Sequence, residues 1–151
     1  MRIALDTNVL IYAAGFNSPD RVLETERMLF RLRDMSMIVP VQVLGEMFRV
    51  LVGKARLKIP EAARKVRAVE DNFEVMPTTL PAWRGAMEIA TRHSVSIWDA
   101  VILAVASEAG CALLLSEDYQ EGFAWRGVTI VNPFADKPHR LLARALREEG
   151  K

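Results

Sequence analysis

Two carboxylates stand where strands are expected to end. Asp6 follows the apolar run at residues 3–5, and Asp118 follows the apolar run at residues 111–115 after two intervening positions. Short apolar runs ended by polar residues predict buried strands. In open α/β sheets, ligands bind at the edge formed by the carboxyl ends of the strands. Asp6 and Asp118 are therefore expected close together at such an edge.

A third acidic residue, Glu46, lies on a predicted helix that begins near Val41. Gln42, Glu46 and Arg49 fall at positions i, i+4 and i+7, which places them on one polar stripe beside the apolar face. This spacing can aim Glu46 at a site or leave it on the surface next to Arg49.

The fourth, Asp99, opens the most apolar helix of the chain. Residues 96–99 match a capping box, and residues 100–106 are apolar on every side, which predicts a buried helix that ends before Gly110. A carboxylate at the mouth of a buried helix needs backbone N–H groups or a cation as partner.

Each carboxylate also has an ordinary structural explanation. Asp6 and Asp99 suit helix caps, Glu46 suits a solvated position near Arg49, and Asp118 suits a turn. Taken together, clustered carboxylates repel one another unless one is protonated or a cation lies between them. Oxygen ligands without paired Cys or His favour Mg²⁺ or Mn²⁺ over zinc.

The remaining chemistry-bearing side chains have simpler interpretations. His93 falls near the end of a predicted helix, where it can meet the terminal carbonyls, and His139 has no informative neighbours. The single Cys111 can form neither an internal disulfide nor a thiolate metal site, so we interpret it as a small apolar residue in a reducing compartment.

The bulk composition fits one soluble globular domain. The chain has 151 residues, 51% hydrophobic and 26% charged, which suits a folded core and argues against disorder. A net charge of +1 neither supports nor excludes nucleic-acid binding. Asp6 interrupts any signal peptide, and residues 100–106 are too short to span a bilayer. We therefore expect a cytoplasmic protein without a membrane segment.

Strands and helices alternate along the chain, which predicts an α/β sandwich built on a parallel sheet. Strands are predicted at residues 3–5, 37–39, 73–76, 111–115 and 128–131. One long helix is predicted at residues 20–34. The tail from Pro138 places its leucines and arginines on opposite faces and predicts an amphipathic basic helix, which packs on this domain or on a partner.

The motifs together resemble a PIN domain, and more closely the VapC-like toxins of type II toxin–antitoxin pairs. The resemblance covers residues 1–134 and leaves residues 135–151 as a separate basic tail. It is carried by the following segments: Leu5-Asp6-Thr7-Asn8-Val9-Leu10, Glu46, Ile97-Trp98-Asp99-Ala100, Leu115-Ser116-Glu117-Asp118 and Val131-Asn132-Pro133-Phe134.

This resemblance implies a five-stranded parallel sheet between helices and a Mg²⁺- or Mn²⁺-dependent endoribonuclease. It places Asp6, Glu46 and Asp99 on the three core acidic positions and Asp118 on the fourth. The polar positions around that cluster are matched by two residues, Asn8 and Ser116. It also implies an RNA substrate, a small antitoxin as partner and a homodimer. A metal held by carboxylates would activate water for in-line hydrolysis of the phosphodiester.

Two other functions remain open. A Mg²⁺-dependent phosphatase or phosphoacceptor domain also carries an Asp after its first strand, but its general acid, two residues later, is here Asn8. A non-catalytic binding module with the same fold would have no use for four mutually repelling carboxylates.

Overall fold

In the computed structural model, which describes residues 1–147, strands and helices alternate as the sequence predicts. The strands are β1 (Arg2–Leu5), β2 (Ser36–Pro40), β3 (Glu74–Met76), β4 (Leu113–Leu115), β5 (Ala124–Trp125) and β6 (Val128–Val131). The helices are α1 (Thr7–Ala13), α2 (Pro19–Arg31), α3 (Val41–Gly53), α4 (Ile59–Asn72), α5 (Leu80–His93), α6 (Ile97–Glu108) and α7 (Arg140–Arg147). No helix in this part of the chain is long and apolar enough to cross a bilayer.

The strands form one sheet in the order β3-β2-β1-β4-β6-β5. All neighbouring pairs are parallel except β5 with β6. The predicted five-stranded parallel sheet is confirmed, and the strand count is corrected by one short antiparallel strand at the edge.

The additional strand β5 belongs to a two-residue hairpin. Trp125 pairs with Val128, and the intervening Arg126 and Gly127 both have positive φ, at 41° and 88°. Such a turn matches the twist of antiparallel strands. A strand of two residues has no periodicity to recognise, and therefore the sequence pattern did not reveal it.

The central strands are covered on both faces. Ile3, Ala4 and Leu5 of β1 are fully buried, as are the three leucines of β4, which requires helices on both sides of the sheet. Helix α6, whose residues 100–106 are all buried, lies against β2, β4 and β6. The prediction of a buried α6 is confirmed.

Two details at helix ends differ from the sequence prediction. Helix α2 ends at Arg31 rather than at residue 34, because residues 32–34 form a turn. His139, for which the sequence suggested no role, accepts a hydrogen bond from the Leu141 amide through Nδ1 (3.2 Å) at the start of α7.

Helix α7 packs on the rest of the chain. Leu142 and Ala145 are buried in the main core, whereas Arg140, Arg144 and Arg147 are exposed. The Arg31 guanidinium also donates to the Leu146 carbonyl (2.9 Å). The division of the chain at residue 134 stays a prediction.

The fully buried Thr25 of α2 offers a test of packing. Its hydroxyl has no hydrogen-bond partner among the described residues, so folding removes it from water without compensation. We expect Thr25→Val, which preserves the shape, to raise the free energy of unfolding by about 1–2 kcal/mol in urea titrations. Thr7→Val is the matched control and should lower it, because the Thr7 hydroxyl is hydrogen-bonded. An unchanged or lower value for Thr25→Val would contradict this account.

Candidate active site

The site lies where the order of successive strands in the sheet reverses. The chain moves outward from β1 to β2 and β3, then returns to place β4 on the other side of β1, so β1 and β4 flank the topological switch point. Asp6 immediately follows β1 and Ser116 immediately follows β4. The Ser116 hydroxyl donates to Asp6 Oδ2 at 2.6 Å, and both residues are buried.

Asp6 also caps helix α1, as its ordinary explanation requires. Its Oδ1 accepts a hydrogen bond from the Thr7 amide at 2.7 Å. The cap therefore occupies one carboxylate oxygen and the Ser116 hydroxyl the other. Capping and a place in the site are thus compatible for the same side chain.

Glu46 is half-buried and hydrogen-bonded to helix α1. Its Oε2 accepts from the Thr7 hydroxyl at 2.9 Å, and its Oε1 accepts from the Gln42 amide at 3.2 Å. Helix α3, which contacts α1, brings Glu46 to Thr7. Glu46 borders the same cleft as Arg49 but forms no ion pair with it, and its hydrogen bonds are with Thr7 and Gln42.

Asp118 and Asn8 are hydrogen-bonded to each other. Asn8 Nδ2 donates to Asp118 Oδ2 at 2.5 Å, and the Asp118 amide donates to the Ser116 hydroxyl at 3.2 Å. Asp118 is exposed, unlike Asp6. Beside it, the Tyr12 hydroxyl donates to Glu117, which adds a further carboxylate to this end of the sheet.

Asp99 lies in the first turn of α6, at the end of that helix nearest the sheet edge. Ser96 caps the helix by accepting from the Asp99 amide at 3.2 Å, which is the capping-box bond expected from the sequence. The Asp99 side chain is half-buried.

The electrostatics show that these carboxylates act on one another. The pKa of Asp6 is raised to about 6, mainly by burial; the hydrogen bonds from Ser116 and Thr7 oppose this rise, and the charges of Asp118 and Glu46 add to it. Burial, followed by the charges of Glu117 and Asp99, raises the pKa of Asp118. Within residues 1–147, none of the four carboxylates forms an ion pair.

The donors fit a hard divalent cation by type, because all of them are oxygens. In the described part of the chain, however, no three acidic, His or Cys side chains are arranged so that they could hold a metal ion together. Hydrogen bonds hold both oxygens of Asp6 and of Glu46 in this arrangement. The structure thus brings the predicted residues to one edge without assembling a finished coordination sphere.

Sequence reasoning missed three side chains at this edge. Thr7 bridges α1 to Glu46, and Gln42 holds the other oxygen of Glu46. The Tyr119 hydroxyl is buried beside Asp99, and burial together with the charges of Asp6 and Asp99 raises its pKa. Thr7 lies between Asp6 and Asn8, both of which the sequence motif includes, whereas no motif or spacing marks Tyr119.

The other reactive side chains lie outside this cluster. His93 is exposed in the last turn of α5, with its ring edge-on to Phe123 at 5.2 Å. Cys111 is buried, which raises the pKa of its thiol to about 11. Both observations agree with structural roles for these residues.

Several solved structures share this fold. The chain is similar to the Mycobacterium tuberculosis toxin VapC20, described as a Sarcin-Ricin loop cleaving toxin, with 22% identity over 77% of this chain and 89% of the toxin (TM-score 0.63). It is also similar to a chain of a toxin–antitoxin complex from Klebsiella pneumoniae, with 18% identity over 87% and 98% (TM-score 0.65). A chain of DNA-bound VapBC from Salmonella typhimurium shows 22% identity over 86% and 96% (TM-score 0.59).

Family membership follows from comparison of the sequence with models of known protein families. No curated protein matches the chain. The model of the PIN domain matches residues 3–124, which include all four carboxylates and most of the chain. This chain therefore belongs to the PIN domain family.

Proposed function

We propose that this protein is a Mg²⁺- or Mn²⁺-dependent endoribonuclease that acts as the toxin of a type II toxin–antitoxin pair. The observation that carries the proposal is the buried Asp6. It is 4% exposed, it has no cationic partner among the described residues, and it lies at the switch point of the sheet with three further carboxylates nearby. A buried carboxylate without a cationic partner in such a place suits a cation-binding role.

Asp6, Glu46, Asp99 and Asp118 would hold the cation. When bound, the metal supplies a water nucleophile at neutral pH and stabilises the leaving oxygen. The protein's own contribution is to orient these ligands. Ser116 donates a hydrogen bond to Asp6 and Thr7 donates one to Glu46, which fixes the orientation of both carboxylates.

The test is cleavage of single-stranded RNA by the purified protein with Mg²⁺ or Mn²⁺. We expect products with a 5′-phosphate and a 3′-hydroxyl, and none with a cyclic phosphate, because water attacks the phosphorus directly. Chelation with EDTA should stop the reaction. Cleavage that persists in EDTA, or products with cyclic ends, would refute the metal mechanism.

The phosphatase alternative fits the structure less well. The Asn8 side chain, which occupies the position of the general acid, holds Asp118 by a hydrogen bond and carries no carboxylic proton. We expect no release of phosphate from small aryl phosphates.

The same proposal includes a small antitoxin. Toxin–antitoxin complexes among the structural neighbours support it, as does the unpaired negative charge at the sheet edge. An Arg or Lys of the partner would enter the cluster in place of metal and block catalysis. Inhibition that survives replacement of every basic residue of the partner by Ala would exclude this mechanism.

The homodimer and the cytoplasmic location are parts of the same proposal. Composition supports the dimer: 51% of the residues are hydrophobic, and large apolar side chains such as Phe30 and Ile59 remain exposed. Light scattering that gives a monomer at micromolar concentration would contradict the dimer. A cellular RNA substrate and the single, buried Cys111 favour the cytoplasm.

A further inference from the structure

An exposed tryptophan borders the acidic cluster. Trp98 directly precedes Asp99 and leaves 55% of its surface in solvent, whereas residues 100–106 of the same helix are all buried. Trp98 lines a cleft of about 240 Å³ together with Gln42, Gly45, Glu46 and Arg49 of helix α3. An exposed aromatic face beside a polar cleft is the kind of surface on which an unpaired base stacks.

The cleft has the chemistry of a nucleotide subsite. Gly45 has no side chain, and a Cβ at this position would meet nothing within 4 Å, which leaves the wall beside α3 open for a flat group. Arg49 is exposed and forms no ion pair or hydrogen bond with any residue in the described part of the chain, so its guanidinium can meet a phosphate. Glu46 links the cleft to the acidic cluster.

We propose that this cleft binds one nucleobase of single-stranded RNA beside the phosphodiester that the acidic cluster hydrolyses. The base stacks on the Trp98 indole, and Arg49 contacts an adjoining phosphate. This inference rests on the proposed ribonuclease function and adds the residues that position the RNA. Tryptophan is a sequence-tolerant platform for an unpaired base, whereas the bases of a duplex are already stacked on both sides.

A second copy of this chain is the other occupant to consider. An interface between copies is depleted of charge at its centre. Here three of the five lining residues are polar or charged, namely Gln42, Glu46 and Arg49, and Trp98 is the one large apolar surface among the five. The lining therefore favours a nucleotide.

Binding is measured with a fluorescent single-stranded RNA in the presence of Mg²⁺, in an Asp6→Asn background that prevents cleavage. Asp6 does not line the cleft. Trp98→Ala should weaken binding by about five- to hundredfold, and Trp98→Phe by less than about fivefold, because phenylalanine still stacks. The matched control is Trp83→Ala. Trp83 is also exposed, but it lies on α5. It follows Thr79 by four residues, and the Thr79 hydroxyl donates to Glu108, which lies at the opposite end of α6 from Trp98.

An abasic substitution locates the base. Removing one base at a time from the RNA should identify one position whose loss weakens binding by the same factor as Trp98→Ala. In the Trp98→Ala protein, the same abasic RNA should bind no worse than the intact RNA, because the stacked pair has already been lost.

Arg49→Gln tests the phosphate contact. It should lower the slope of log affinity against log salt by about 0.7, the contribution of one phosphate on a single strand. An unchanged slope would remove Arg49 from the proposal.

The outcomes separate the subsite from the function. If the native protein cleaves RNA and Trp98→Ala binds as tightly as its parent, the subsite is wrong and the ribonuclease stands. If Trp98→Ala instead turns a dimer into a monomer without weakening binding per protomer, the cleft is an interface between copies. If the native protein neither cleaves nor binds RNA, the proposed function fails first.

Discussion

Asp6→Asn is expected to abolish RNA cleavage while leaving the metal-free protein at least as stable as the native one. The cap survives, because an Asn oxygen can still accept from the Thr7 amide, and Asn caps helices about as well as Asp. The Asn amide can donate to the Ser116 hydroxyl, which then acts as acceptor. Only the buried charge is lost, and with it the repulsion from Asp118 and Glu46.

Loss of that charge should lower cleavage roughly hundredfold or more, since even indirect changes at metal sites cost about 10- to 100-fold. It should also remove the stabilisation that bound metal gives to the folded state, about 2.7 kcal/mol when the metal is at 100 times its Kd. Urea unfolding with Mg²⁺ and with EDTA, together with RNA cleavage rates, measures both effects.

Asp20→Asn is the matched control for this experiment. Asp20 lies exposed in the first turn of α2, where it has the same favourable relation to a helix N-terminus but no place in the cluster. We expect native cleavage and native metal stabilisation from this variant. An Asp6→Asn protein that cleaves at the native rate, with metal stabilisation unchanged, would leave Asp6 with the capping role alone.

The second large effect is a dependence of stability on pH. Burial raises the folded-state pKa of Asp6 from 3.8 to about 6. Between these values the folded state binds more protons than the unfolded state, so the free energy of unfolding falls as pH rises. The contribution of Asp6 is therefore most favourable below pH 3.8 and is lost as pH rises through about 6. A shift of roughly two units corresponds to about 3 kcal/mol, since one unit is 1.36 kcal/mol.

The measurement is urea unfolding of metal-free protein from pH 4 to 7.5, with the native chain and Asp6→Asn compared at each pH. Because Asn does not titrate, the stability of the variant relative to the native chain should increase by about 2.4 kcal/mol across this window, since the unfolded carboxyl is already more than half ionised at pH 4. With saturating Mg²⁺ the native curve should flatten above pH 6, since metal binding favours the ionised carboxylate. Parallel curves for the two proteins without metal would show that Asp6 does not titrate in this range.

Much of the architecture could be predicted because it depends on local pattern. Apolar runs followed by turn residues predicted the five parallel strands, and the all-apolar residues 100–106 predicted the burial of α6. The family followed from short motifs in a fixed order. These features depend on which side chains avoid water, and each can be recognised within a few consecutive residues.

The site depends on contacts between residues far apart in the chain. The hydrogen bond from Ser116 to Asp6 spans 110 positions, and that from Thr7 to Glu46 spans 39. Only the strand order, which places β4 next to β1, and the contact of α3 with α1 bring these groups together. A sequence pattern contains no such distances.

The residue types and their places at strand and helix ends thus determined by themselves that oxygen ligands would gather at one edge of a parallel sheet. The tertiary structure decided the rest. It joined Glu46 to Thr7, buried the Tyr119 hydroxyl beside the cluster and left Trp98 on the surface. The physical reason is that burial, hydrogen bonding and charge repulsion at a site are set by neighbours in space, which packing selects from the whole chain.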